Sequence, residues 1–109
     1  MGTGELICEA IRCKKLLQFS YGNHLRVVEP HIVGQDSAAR DILSAYLVGG
    51  YSASRKEPYW RFFLLSNIPL LTMLDEHFPG PRQGFNPKDP RIVKVYCCLE
   101  PYEASDLKT

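Results

Sequence analysis

Arg26-Val27-Val28-Glu29-Pro30-His31 sets a guanidinium and an imidazole a few residues apart on a segment of strand composition. Further on, Ser52, Ser54, Arg55 and Lys56 crowd hydroxyls and cations into the loop Gly49–Pro58. Hydroxyls, backbone amides and cations gathered in one loop suit a phosphate. Arg26 and Arg61 suit the same ligand, because guanidinium offers a planar, bidentate donor fork. The competing reading of the two arginines is a surface ion pair with Glu29, Asp41 or Glu57, of a kind that is common and weak. That of the loop is an ordinary solvated connection.

Composition narrows the partner. A net charge of +1 on 109 residues lacks the overall basic excess of a dedicated nucleic-acid binder. An anion site must therefore come from local clustering of cations. Hydrophobic content of 45% and charged content of 23% are ordinary for a globular domain with one modest core. No apolar run approaches the roughly 20 residues of a membrane-spanning helix. The start of the chain reads as lacking a secretion signal, and Leu6 stands where myristoylation expects Ser or Thr.

Catalysis has no local signature. No serine sits in a nucleophile elbow, no Cys-His arrangement is recognisable, and Gly49-Gly50-Tyr51-Ser52 lacks the Gly-Lys-Ser/Thr of a phosphate-binding loop. A non-enzymatic role without cofactor is expected. Cys8 and Cys13 are too far apart for the usual zinc pair. Cys97 and Cys98 are adjacent and point to opposite faces of any strand. The four cysteines are expected to be free thiols in a reducing cytosol, with no metal bound. His77 stands beside Asp75 and Glu76, but on a strand Glu76 points away from the other two.

The elements that must position these residues follow from periodicity. Leu6, Ala10 and Cys13 share one face with Ile7 and Ile11 beside it, which predicts a helix over Glu5–Lys15. Its charges favour the helix dipole. Gly22-Asn23 predicts a hairpin between strands Leu16–Tyr21 and His24–Val33. Pro30 cannot donate a ladder hydrogen bond, so its strand lies at an edge or bulges there. A regular strand puts Arg26 and His31 on opposite faces, and a bulge at Pro30 would bring them together. Ile42–Val48 and Tyr59–Leu65 predict a third and a fourth strand. The fourth is apolar on both faces, with Trp60, Phe62 and Leu64 on one and Phe63 and Leu65 on the other. Trp60 is expected in the core.

Leu70–Phe78 reads as a fifth strand, with a short helix as the alternative. Prolines and glycines punctuate the chain from Pro79 onward. Ile92–Leu99 recovers alternation and is expected as an exposed edge strand that could add to a neighbour's sheet, and Glu100–Thr109 is expected to fray. The chain thus divides into a flexible start (1–4), a domain (5–78) and a Pro/Gly-rich extension (79–109).

This order of elements resembles the WYL domain family. The likeness rests on the helix and hairpin, Arg26-Val27-Val28-Glu29-Pro30-His31, Ala45-Tyr46, Trp60-Arg61-Phe62-Phe63-Leu64 and the Leu-Asp-Glu-x-Phe run at Leu74–Phe78. Asp41-Ile42-Leu43 stands where the family has Trp-Tyr-Leu, and Leu64 where many members carry a second arginine. No helix-turn-helix precedes the domain. The resemblance implies a mainly β fold with one N-terminal helix, an SH3/Sm-like small β-barrel. It also implies a cytoplasmic regulatory module, tied to transcription or defence, that senses a nucleotide or single-stranded nucleic acid. Matched by position, its contacts are Arg26, His31, Tyr46 and Arg61, with Tyr21 as a further aromatic at the end of the first strand. Tyr21 and Tyr46 would stack on a base, or serve as core residues with the hydroxyl at the rim. His31 would donate to phosphate, or cap a bulge. A protein-interaction or oligomerisation module without a ligand site is the alternative function.

Overall fold

The computed structural model describes residues 2–49 and 59–99. An N-terminal helix and a six-stranded antiparallel sheet make up the fold. Helix α1 (Thr3–Cys13) takes in Thr3 and Gly4, part of the expected flexible start. The Glu5 carboxylate accepts from the Gly2 N–H at 3.0 Å and so satisfies one orphan donor. Lys14 ends the helix in the left-handed region (φ 56°), and β1 (Lys15–Tyr21) begins at once. Strand β2 (His24–Gln35) follows across Gly22 and Asn23, both at positive φ as a tight hairpin requires. Then come β3 (Asp41–Gly49), β4 (Tyr59–Leu64), β5 (Leu71–His77) and β6 (Lys94–Cys98). The fifth segment is a strand, the first of the two readings of Leu70–Phe78.

The sheet runs β4-β3-β2-β1-β5, and β6 pairs with the far half of β2. Pro30 falls between two ladders, where β1 stops at Val28 and β6 begins at Ile32, and beside the register shift against β3. A residue without an N–H sits where the ladders break. Among the described residues the two ends of the sheet, β4 and β5, do not pair, so the closed barrel is not shown. The sheet is nevertheless strongly curled. Three strand spacings separate β1 from β4, about 14 Å if flat. Yet the Tyr21 hydroxyl accepts from the Leu64 N–H at 3.0 Å, and Phe63 meets Phe19 and Tyr21 edge-on at 5.1 and 4.9 Å.

Inside the curl lies the main core, with Leu17, Val28, Leu43, Leu47 and Phe63 under Ile7, Ala10 and Ile11 of α1. A smaller cluster of Ile32, Ile42 and Ile92 lies on the outer face, with Phe62, Leu64 and Phe85 against it. The expected split of β4 between two faces is thus present. Its outer cover is the segment around Phe85 and Ile92. The extension after residue 78 therefore packs into the body of the fold through Ile92, β6 and Leu99. Gly34 permits this. A Cβ there would stand 2.3 Å from the Lys94 carbonyl oxygen and 2.5 Å from Ile92 Cγ2.

The cysteine expectation is overturned. Cys8 on α1 and Cys97 on β6 form a disulfide across 89 residues, and Cys13 and Cys98 take no part in it. Periodicity could not foresee the pair, since the two cysteines lie 89 residues apart on elements that only the tertiary fold brings together. Cys97 faces α1 and the main core while Cys98 packs with the Ile32 cluster, the opposite-face arrangement that adjacent strand residues must adopt. The bond removes the cysteine-based ground for a reducing compartment. Among the described residues no helix is long and apolar enough to cross a membrane.

Candidate functional site

Strand pairing distributes the candidate residues over both faces of the sheet. Arg26 lies opposite Phe19 at the hairpin end of β1 and β2, on the inner face. It is only 3% exposed, and its Nε and Nη2 donate to the Tyr21 carbonyl at 3.4 and 3.3 Å. Arg61 on β4 holds its guanidinium 5.4 Å from the Tyr21 ring centre and 5.3 Å from that of Phe63. Its Nη1 donates to the Tyr59 hydroxyl at 3.5 Å. Two guanidinium groups thus converge on Tyr21. Among the described residues no carboxylate pairs with Arg61. Glu29 is taken by Arg82, and Asp41 accepts from the Tyr96 hydroxyl. Tyr21 itself sets its ring against Phe19 and Phe63 and its hydroxyl on the Leu64 amide.

The β3–β4 connection leaves the sheet after Gly49, which pairs with Val27, and returns at Tyr59. Both points lie at the end of the sheet that carries Tyr21 and Arg26. Ser52, Ser54, Arg55 and Lys56 fall outside the described residues, as does Glu57.

His31 and Tyr46 stand on the outer face, apart from the two arginines. The expected bulge on β2 exists, but it comes one residue too late to unite Arg26 with His31. His31 is the extra residue between the Pro30–Ala45 and Ile32–Ser44 pairs, so the bulge reverses the parity of Ile32 and Val33 instead. His31 is 0% exposed and packs against Trp60, Phe78 and Phe85. The Arg82 N–H donates to its Nε2 at 3.2 Å, which leaves Nδ1 to carry the proton and donate to the Glu29 carbonyl at 2.8 Å. Both nitrogens are committed within the fold. His31 thus holds the bulge from within the fold.

Burial holds the His31 imidazole below the usual histidine range, against the Glu29 carbonyl and carboxylate that favour its charged form. Its folded pKa lies below the unfolded value of about 6.5. Above that pH both states are neutral there and the contribution to stability is complete. As pH falls below it, the unfolded imidazole takes up a proton that the folded one resists, and stability drops by at most about 1.4 kcal/mol per pH unit. Urea unfolding followed from about pH 7.5 to about pH 5.5 should show this loss. His31→Gln, which hydrogen-bonds without titrating, should flatten it, and an unchanged slope would assign the dependence elsewhere.

Beside His31, Glu29 and Arg82 form a forked pair, Nε to Oε1 at 2.6 Å and Nη2 to Oε2 at 2.8 Å. That hydrogen bonding pushes the Arg82 pKa further up. The Arg82 guanidinium also lies 5.0 Å from the Tyr46 ring centre, and Tyr46 meets Trp60 edge-on at 5.4 Å. Trp60 was expected in the core. It is half-buried instead, on the wall of a cavity of about 580 Å³ between β4 and residues 84–91. Its indole N–H donates to the Gln83 carbonyl at 3.0 Å. Phe85 lies nearly parallel to it, with centroids 6.1 Å apart. Gly84, at φ 90°, lets the segment pass, since a Cβ would stand 3.1 Å from the indole nitrogen.

Sequence reasoning missed Trp60, Phe85 and Arg91 as surroundings of a cavity, and Arg82 as the partner of Glu29. One signal was available for Phe85, the one aromatic within the proline- and glycine-punctuated residues 79–91. None was available for the Glu29–Arg82 pairing. The chain matches no protein-family model, no curated protein and no solved structure.

Proposed function

We propose that this chain is a ligand-binding regulatory domain that recognises an anionic ligand, a nucleotide or single-stranded nucleic acid. The observation that carries the reading is the convergence of Arg26 and Arg61 on Tyr21, at the end of the sheet where Gly49 and Tyr59 stand. Arg61 is the working contact, since it is half-buried and no carboxylate among the described residues claims it. Arg26, bonded to the Tyr21 carbonyl, fixes the platform on which Arg61 rests. The resemblance to WYL domains belongs to the same proposal, as does an SH3/Sm-like architecture, which the curl from β1 to β4 supports. A role in transcriptional or defence regulation would follow from ligand binding that shifts association with a partner.

The test is fluorescence anisotropy of labelled single-stranded DNA and RNA across a salt series. Binding should weaken linearly in log–log form as salt rises, and Arg61→Ala should lower that slope by about 1. An Arg61→Ala variant with unchanged affinity and slope would sink the reading.

A second reading, self-association or protein docking at β6, has its own observation. Val93, Val95 and Tyr96 are exposed, and among the described residues β6 pairs only with β2. Strands of this kind add to a neighbour's edge. A concentration-dependent, salt-insensitive mass in sedimentation would favour it.

A further inference from the structure

The cavity beside β4 contains a group that the fold leaves unsatisfied. Ser44 lies in β3 between Ile32 of β2 and Phe62 of β4, so its side chain stands on the outer face and lines the cavity. It is 7% exposed, and among the described residues its hydroxyl has no hydrogen-bond partner. A buried hydroxyl without a partner carries an uncompensated desolvation cost, and such groups are few in folded proteins.

What surrounds it specifies a ligand. Trp60 and Phe85 present ring faces inclined by only 18°, and Phe62 adds a third ring beneath the Arg91 guanidinium at 4.2 Å. At the rim, Arg91 donates from Nε and Nη2 to the Asp89 carboxylate at 3.0 and 2.7 Å, so the two charges are already matched. The cavity therefore offers flat apolar walls and one buried hydroxyl, with the Asp89 and Arg91 charges paired and Arg61, which also lines it, turning its guanidinium to the Tyr21 and Phe63 rings. Its volume of about 580 Å³ lies within the range of small-molecule sites.

We infer that this cavity binds a neutral, planar heteroaromatic ring, its face against the aromatic walls and a polar edge on Ser44 Oγ. A charged ligand would find the Asp89 and Arg91 charges already paired with each other. A hydrocarbon ring would leave the Ser44 hydroxyl as it is, and a puckered ring would forgo the stacking that flat walls reward. The site is separate from the anion reading, because Arg61 directs its guanidinium to the inner face.

Trp60 is the sole tryptophan of the chain, so its emission reports on the cavity directly. The experiment titrates the intact, oxidised protein with adenosine and with nicotinamide. Cyclohexanecarboxamide, the same amide on a puckered ring, serves as the control. Saturable changes in Trp60 emission are expected with at least one of the flat probes and not with the control. Ser44→Ala should bind that probe about threefold to tenfold more weakly, the net worth of one hydrogen bond. Its thermal midpoint should equal or exceed that of the parent, since it loses only an unpaired hydroxyl. Phe85→Leu should also weaken binding. Absence of a saturable change with both flat probes at millimolar concentration would overturn the inference. So would an equal response to the control, or a Ser44→Ala affinity equal to the parent's. Neither probe carries phosphate, so failure here and failure of the Arg61 reading are told apart.

Discussion

Breaking the Cys8–Cys97 bond is expected to cost about 2–5 kcal/mol of folding stability, the range for a native disulfide in a small domain. The loop it closes spans 89 residues, nearly the whole chain. Loop-closure entropy released to the unfolded state grows with loop length, which places the expectation in the upper part of that range. For a domain whose total stability is of the order of 5–15 kcal/mol, this is a large share. The damage should also be local. Strand β6 has five residues and pairs only with Ile32–Gln35 of β2 among the described residues. It is further held by Leu99 N–H on the His31 carbonyl at 2.7 Å, Val93 N–H on the Gln35 carbonyl at 2.8 Å, and the disulfide. Without the covalent tie to α1, β6 amides should exchange with solvent before those of β2 and β3. Denaturant unfolding with and without reductant, beside a Cys8→Ala/Cys97→Ala variant, measures the first effect, and hydrogen exchange measures the second. If reduced, oxidised and doubly substituted proteins unfold at the same denaturant concentration, the bond contributes nothing.

The disulfide also marks where sequence reasoning stops. Alternation and turn chemistry are local, and they place the helix, the Gly22-Asn23 hairpin and the two-faced β4 correctly because each depends on neighbours a few residues away. The contacts that build the outer face join distant segments. Glu29 meets Arg82 across 53 residues, and Phe85 reaches Trp60 from a stretch whose prolines and glycines exclude regular structure without indicating what it covers. Bulges sit between the two cases. Pro30 announces that the ladder must break, but one residue of offset decides which side chains change face. That offset sends Ile32 outward and leaves His31 apart from Arg26, so a site assembled from sequence spacing alone divides between the two surfaces of one sheet. Tyr21, Arg26 and Arg61 stay together because the hairpin and the curl of the sheet bring them there.

Arg82→Ala should be the most damaging change on the outer face, at about 2–4 kcal/mol. Glu29 keeps its carboxylate on the sheet, with its side chain 5% exposed, and both oxygens are occupied by Arg82. Removing one partner of a fully buried pair costs about 3–5 kcal/mol, because the remaining charge is stranded. Here the Arg82 side chain is 43% exposed, so water reaches the vacated position and the cost falls somewhat below that range. Arg82→Lys should be intermediate, since an ammonium cannot reproduce the fork. Glu29→Gln combined with Arg82→Ala should recover part of the loss by removing the stranded charge, and the resulting double-mutant cycle isolates the pair from the packing of Arg82 on Tyr46. The second consequence concerns the cavity. Residues 83–85 follow Arg82 directly, and their hold on Trp60 consists of the Gln83 carbonyl and the Phe85 ring. Releasing Arg82 should loosen that cover, shift Trp60 emission toward that of a solvated indole and abolish binding of flat heteroaromatic probes under conditions where the protein remains folded. A variant that loses stability while Trp60 emission and probe affinity stay unchanged would show that the ion pair secures the sheet alone, and that Phe85 keeps its place without it.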